Sequence, residues 1–282
     1  MVTFSLQALP SAGAADWLDL ARTAEEAGFD SLYVADHPGA CASPFVALAA
    51  AAAVTSRIRL GSYVSNAGVR EPILLASDVA TLDVVSGGRA VLGIGAGHTP
   101  AEWAAVGRVR PPVRERVDHC IAVAEATVRA LGGDGLDEPK VVQDRVPLLI
   151  GGGNTRLLTW AAEHADLIGL SGLGRTLDDG HRHETRWRRD QVDAQVALCG
   201  DKPREALVQR FEVTADAGAT YAGWAKEFTQ DEADLAACPY LLAGTRGEIA
   251  AKLREVERRW GITRFAVRRP AIALVPDVLA AY

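Results

Sequence analysis

The chain has 282 residues, 49% hydrophobic and 23% charged, with 30 basic and 36 acidic residues and a net charge of -6. That composition excludes a disordered chain, a collagen-like repeat and a coiled-coil rod, and is sufficient for a full core. A mildly acidic chain with no basic stripe predicts no nucleic-acid partner.

Cys41, Cys120, Cys199 and Cys238 are scattered without paired spacing, so no disulfide framework or zinc site is predicted. The absence of a signal-peptide core, and of any apolar run near ~18 residues, predicts a cytoplasmic protein with no membrane association. Only four residues are lysine, and alanine is abundant. This looks like the coding bias of a GC-rich bacterium.

In chain order, eight short Val/Leu/Ile-rich runs read as buried parallel strands. They are Thr3 to Gln7, Ser31 to Ala35, Ile58 to Val64, Ala90 to Gly95, Pro147 to Ile150, Leu167 to Leu170, Ala206 to Val213 and Phe265 to Arg268. Helical periodicity lies between them. Asp16 to Ala27 ends at Gly28, Ile73 to Val85 stops at Ser86, and Val113 to Leu131 stops at Gly132. Glu248 to Trp260 follows a Thr245–Glu248 capping box and ends at Gly261. Strand–helix alternation along the whole length predicts a parallel sheet with right-handed crossovers. Eight strands without an early dinucleotide fingerprint favour an α/β (β/α)8 TIM barrel, in one domain spanning 1–282, over a doubly wound sheet. The stretch 171–244 reads as an irregular insertion or lid.

In such a barrel the chemistry sits at the C-terminal ends of the strands. The second strand ends in Asp36 and His37, a carboxylate beside an imidazole, suited to proton handling or simply to a capped, satisfied histidine. The third ends in Tyr63, Val64, Ser65 and Asn66, either ligand contacts or a polar turn. The fourth ends in Gly95, Gly97 and His98, where glycines permit close approach of a planar or anionic ligand. The fifth runs into Gly151, Gly152, Gly153, Asn154 and Thr155 at a helix start. That is a phosphate turn, or a tight turn with an Asn or Thr cap. Ser171, after the sixth strand, closes the same pocket. His181 and His183 form an HxH among Asp178, Asp179, Arg182 and Glu184, which reads as a solvated loop and not as a metal site. Arg186, Arg188 and Arg189 read as a solvated basic face or a contact for an acidic cofactor tail.

The segments SLYVADHPG, RIRLGSYVSN, GGRAVLGIGAG and PLLIGGGNTRLLTWAAEHADLIGLS, in that order, and the closing LLAGTRGEIAAKLREVERRWGITRFAVR resemble the bacterial luciferase-like superfamily. The branch they are most similar to is the F420-dependent oxidoreductases; FMN-dependent monooxygenases are cousins. The resemblance implies a barrel with the cofactor ring at its C-terminal mouth, F420 or alternatively FMN. His37 would be the catalytic acid or base beside Asp36, and Tyr63-Val64 a non-prolyl cis bulge backing the ring. Asn66 would lie near the ring's polar edge and 151–155 would form the cofactor's phosphate turn. It also implies a small-molecule substrate, a homodimer and, for the FMN reading, a separate reductase. Two departures stand out against the deazaflavin-dependent sugar-phosphate dehydrogenases. Cys41 occupies a tryptophan position and His98 the position of a catalytic glutamate, so the substrate differs and His98 becomes a candidate second acid or cofactor contact. The mid-barrel hairpin is reduced to roughly 132–144. The rival functions are an FMN-dependent monooxygenase, a metal-dependent barrel hydrolase and a non-catalytic flavin-binding subunit.

Overall fold

The computed structural model describes residues 2–10, 13–177 and 182–282. Eight parallel strands form the barrel: β1 (Thr3–Gln7), β2 (Ser31–Val34), β3 (Arg59–Ser62), β4 (Ala90–Gly95), β5 (Leu148–Gly151), β6 (Leu167–Leu170), β7 (Arg204–Leu207) and β8 (Arg264–Arg268). Each pairs with the next in sequence, from Ser31↔Arg59 through Leu60↔Ala90 to Glu205↔Arg264, and Gln7↔Arg268 closes the ring. The predicted (β/α)8 barrel is therefore the observed fold. Asp178, Asp179 and His181 of the polar run lie outside the described residues.

Two predicted strands end differently. The third stops at Ser62, turns through a cis Tyr63–Val64 peptide, and resumes as a two-residue pairing, Ser65–Asn66, with β4. The run Ala206 to Val213 is two strands. After β7 the Gln209 N–H donates to the Tyr240 carbonyl, and Arg210–Val213 pairs in parallel with Leu241–Gly244, a strand not expected. Within 171–244 an antiparallel hairpin, Leu173–Thr176 with His183–Thr185, also replaces expected loop.

Period-two alternation sorts the strand side chains. Leu32, Val34, Leu92, Ile94, Leu148 and Ile150 point outward into the main core beneath the helices. Tyr33, Val91, Leu149, Leu207 and Ala266 point into the barrel, where they pack with Tyr63. One layer nearer the C-terminal mouth, the inward positions on β4, β5 and β6 are Gly95, Gly151 and Gly169. Side chains fill the lower barrel, and glycines leave its mouth open. A Cβ at Gly151 would lie 2.7 Å from Val64 Cγ1, and one at Gly95 would lie 2.6 Å from Val64 Cγ2. The cis bulge thus seats Val64 in the space those glycines leave. Trp103, Tyr221 and Trp224 are buried side chains.

Candidate active site

The mouth opens into a cavity of about 720 Å³, within the range that takes a drug-sized ligand. The strand ends bring Asp36, His37, Tyr63, Val64, Asn66, Gly95, Gly97, His98, Gly151, Gly152, Gly153, Asn154 and Ser171 to its walls. Ser65 and Thr155 do not line it. Ser65 is fully buried behind the wall, its hydroxyl 2.8 Å from that of Ser62, and Thr155 is exposed at the first position of the next helix.

The expected Asp36–His37 partnership is not formed. Asp36 is held by a guanidinium instead. Arg70 Nε and Nη2 donate to its two carboxylate oxygens at 2.9 and 2.8 Å. His37 turns to a carboxylate 65 residues away: its Nδ1 lies 2.6 Å from Glu102 Oε1. Glu102 is 3% exposed and also accepts from Asn66 Nδ2 at 2.6 Å. The hydrogen bond to Glu102 raises the His37 pKa above its ordinary value, against an opposing effect of burial. Burial works to raise Glu102, but the bonds and charge from His37 and Asn66 outweigh it and leave the carboxyl below its ordinary value. The pair is therefore an imidazole biased toward its protonated form by a buried carboxylate.

Sequence reasoning passed over Glu102. It stands in the first turn of the short helix Pro100–Ala105, where an acid is ordinarily read as helix-end complementarity. The available signal was its position, just after a glycine-rich strand end at the barrel mouth.

His98 meets His37 edge-to-face at 5.7 Å and His183 at 4.6 Å between ring centroids. Burial pushes its pKa down to about 4, which favours the uncharged ring near neutral pH. His183, expected in a solvated loop, instead belongs to the hairpin wall of the cavity. Among the described residues no group of three or more His, Cys, Asp or Glu could hold a metal ion.

The glycine turn has the composition of an anion site. Asn154 Oδ1 caps the helix Thr155–His164, accepting from the N–H groups of Arg156 and Leu157. The N–H groups of Gly153 and Asn154 donate to no acceptor among the described residues. Arg186 reaches the turn, with Nη1 2.9 Å from the Gly153 carbonyl. Arg188 is instead exposed and paired with Asp190, and Arg189 is exposed.

Among the described residues five guanidiniums line the cavity, Arg110, Arg116, Arg175, Arg186 and Arg268, and the two carboxylates that line it, Asp36 and Glu102, are already engaged. An excess of positive charge, free backbone donors at one end and an open, glycine-walled slot suit a planar cofactor with an anionic side chain, as F420 and FMN both are.

Residues 1–264 match the luciferase-like monooxygenase family. A 5,10-methylenetetrahydromethanopterin reductase of Methanopyrus kandleri is 38% identical over 96 residues, covering 34% of this chain and 27% of the reductase. The aligned stretch is thus about a quarter of that relative's length. The coenzyme F420-dependent tetrahydromethanopterin reductase structure from Methanopyrus kandleri is similar over 99% of this chain and 97% of its own, at TM-score 0.73 and 19% identity. The oxygenating constituent of 3,6-diketocamphane monooxygenase from Pseudomonas putida, in complex with FMN, covers 100% of this chain and 97% of its own at TM-score 0.70 and 15% identity. These similar proteins use F420 in one case and FMN in the other, on a common fold. No helix among the described residues is long and apolar enough to cross a membrane. By its sequence over nearly its whole length, and by the barrel that sequence forms, the chain belongs to the luciferase-like monooxygenase family.

Proposed function

We propose that this luciferase-like oxidoreductase is F420-dependent and exchanges a hydride with a small organic substrate, an enone, imine, ketone or alcohol, while His37 carries the accompanying proton. The observation that carries this reading is the His37–Glu102 pair at 2.6 Å, which places a protonatable imidazole in the wall of the cavity. Hydride addition to a C=O, C=N or C=C bond needs a proton as well, and its reversal needs a base. One imidazole serves both directions.

When bound, the deazaflavin supplies the hydride chemistry. The chain's own residues bind, orient and move the proton. Val64, seated over Gly95 and Gly151, would back the ring. The Gly153 and Asn154 N–H groups and Arg186 hold the phosphate. With Nδ1 directed to Glu102, Nε2 of His37 is left for the substrate atom that gains or loses the proton. Glu102 stabilises the imidazolium and fixes the ring's orientation, and Asn66 shares that carboxylate. Arg70 neutralises Asp36, so no second free carboxylate competes for the proton. A homodimer, which rests on the family resemblance, and a cytoplasmic location, which rests on the sequence composition, belong to the same proposal.

The test is a fluorescence titration of the purified protein with F420 and FMN in parallel. Clear preference for F420 is expected. Preference for FMN would sink the assignment and direct the search to oxygen-dependent substrates with a reductase partner. Failure of both to bind would sink it as well and favour the non-catalytic reading.

A further inference from the structure

The charges of the cavity are not evenly spread. In a closed ring of eight strands, β5 stands opposite β1, and β4 opposite β8. Arg110 and Arg116 donate to the carbonyls of His98 and Gly97, just beyond β4. Arg186 donates to Gly153, just beyond β5. Arg175 sits on the hairpin that follows β6 and pairs with Glu184. Those four guanidiniums gather on the side where the phosphate turn lies. Among the described cavity-lining guanidiniums only Arg268 stands across the mouth, at the last position of β8 and in register with Gln7, the last residue of β1. His37, just beyond β2, is on the same side.

Arg268 is also differently committed. Its Nη1 donates to Gln7 Oε1 at 2.9 Å, and Gln7 Nε2 in turn donates to the Tyr63 carbonyl at 2.5 Å. Among the described residues no carboxylate lies within ion-pair distance of it. The contact with Gln7 fixes one edge of the guanidinium and leaves Nε and Nη2 as a second edge. That two-N–H fork is the shape that takes a carboxylate in two parallel bonds. Arg268 lines the cavity, and its charge reaches His37, where it acts against the protonated form. A bound anion would cancel that effect and leave only burial opposing Glu102 in favouring the imidazolium.

We propose that Arg268, positioned by Gln7, is a specificity residue that binds the carboxylate of an anionic substrate, so that the reacting C=O, C=N or C=C bond belongs to a small monocarboxylic acid. Arg210 acts on Arg268 from outside the cavity lining, but the one open fork of Arg268 matches one carboxylate and not a phosphate dianion. This inference rests on the proposed hydride-transfer reading for the word substrate, but the binding site it describes does not depend on which cofactor is used.

The test is calorimetric titration of the full-length protein with acetate, pyruvate and benzoate, each against its neutral amide or methyl ketone counterpart. Wild type, Arg268→Gln, Arg268→Lys and Arg186→Gln are compared, with F420 and FMN titrations of the same proteins alongside. At least one carboxylate is expected to bind wild type in preference to its neutral counterpart. Arg268→Gln should weaken it about tenfold or more, as loss of a charged two-point contact does. Arg268→Lys should retain part of it, and Arg186→Gln should not change it. Unchanged carboxylate affinity in Arg268→Gln, loss only in Arg186→Gln, or no carboxylate binding to wild type would each overturn the proposal. So would loss of F420 affinity in Arg268→Gln, which would assign Arg268 to the cofactor. An FMN-preferring wild type that still binds the carboxylate through Arg268 would refute the F420 reading and leave this one standing.

Discussion

His37 Nδ1 and Glu102 Oε1 stand 2.6 Å apart although they come from the ends of two non-adjacent barrel strands. Because the hydrogen bond to Glu102 raises the histidine pKa, replacing Glu102 should lower it. In Glu102→Gln the burial of His37 persists while the charge that favoured imidazolium is gone. For a reduction, which needs protonated His37, activity should fall off at a lower pH than in wild type. For an oxidation, which needs neutral His37, the rising limb should begin at a lower pH. A histidine C–H titration followed by NMR reads the same shift without turnover. An unmoved titration would mean that Glu102 is only structural.

Removing the imidazole itself should cost more. His37→Asn is expected to lower kcat by roughly 10²- to 10⁴-fold, the usual worth of a positioned general acid–base group. Cofactor affinity should be largely kept, because the phosphate turn lies across the cavity. Single-turnover kinetics of F420 oxidation or reduction separate the two effects. A variant that turns over at the wild-type rate would remove His37 from the mechanism.

Gly151→Ala puts a Cβ 2.7 Å from Val64 Cγ1 and 3.4 Å from Tyr63 Cε2. Overpacking of this kind costs about 1–3 kcal/mol. Thermal unfolding should show the loss, and F420 affinity should drop with it, since Val64 would be pushed into the slot. Gly223→Ala is the control. It lies on the exposed face of the helix Ala217–Phe228 with nothing within 4 Å of the added Cβ. It should be neutral or stabilising by about 0.4–1 kcal/mol.

Glu205 predicts a pH dependence of stability that is unrelated to turnover. It is fully buried in the lower barrel and accepts from Ser5 Oγ at 2.6 Å. Burial pushes its pKa up from 4.5 to about 7, with Arg264 and Ser5 opposing. The native state therefore holds a proton that the unfolded chain has released, between about pH 4.5 and 7. Where the native state binds more protons, stability falls as pH rises. Wild type should thus lose stability from pH 5 to pH 7.5 in urea unfolding. Glu205→Gln, uncharged throughout, should lose less over that interval. Parallel pH curves for the two proteins would show that Glu205 does not titrate in this range.

The sequence by itself determined the barrel. Strand and helix are local matters: apolar runs bounded by turn residues, 3.6-residue periodicity, glycine stops and a capping box each read from a few neighbouring residues. Position at a strand's C-terminal end then located His37, Tyr63-Val64, Gly95 and the turn at Gly151, because in a parallel barrel the ends of all strands converge. Partners were not legible in the same way. Asp36 and His37 are adjacent in sequence, yet each is satisfied from a distance, by Arg70 34 residues on and by Glu102 65 residues on. Arg268 and Gln7 are 261 residues apart and meet only because β8 closes on β1. Likewise Ala206 to Val213 carries one apolar pattern, but the chain leaves the barrel midway to pair with Leu241–Gly244. Local propensity decides which element forms. Which charges face one another is decided by ring closure and register, which bring together residues whose separation in sequence carries no information about their distance in space.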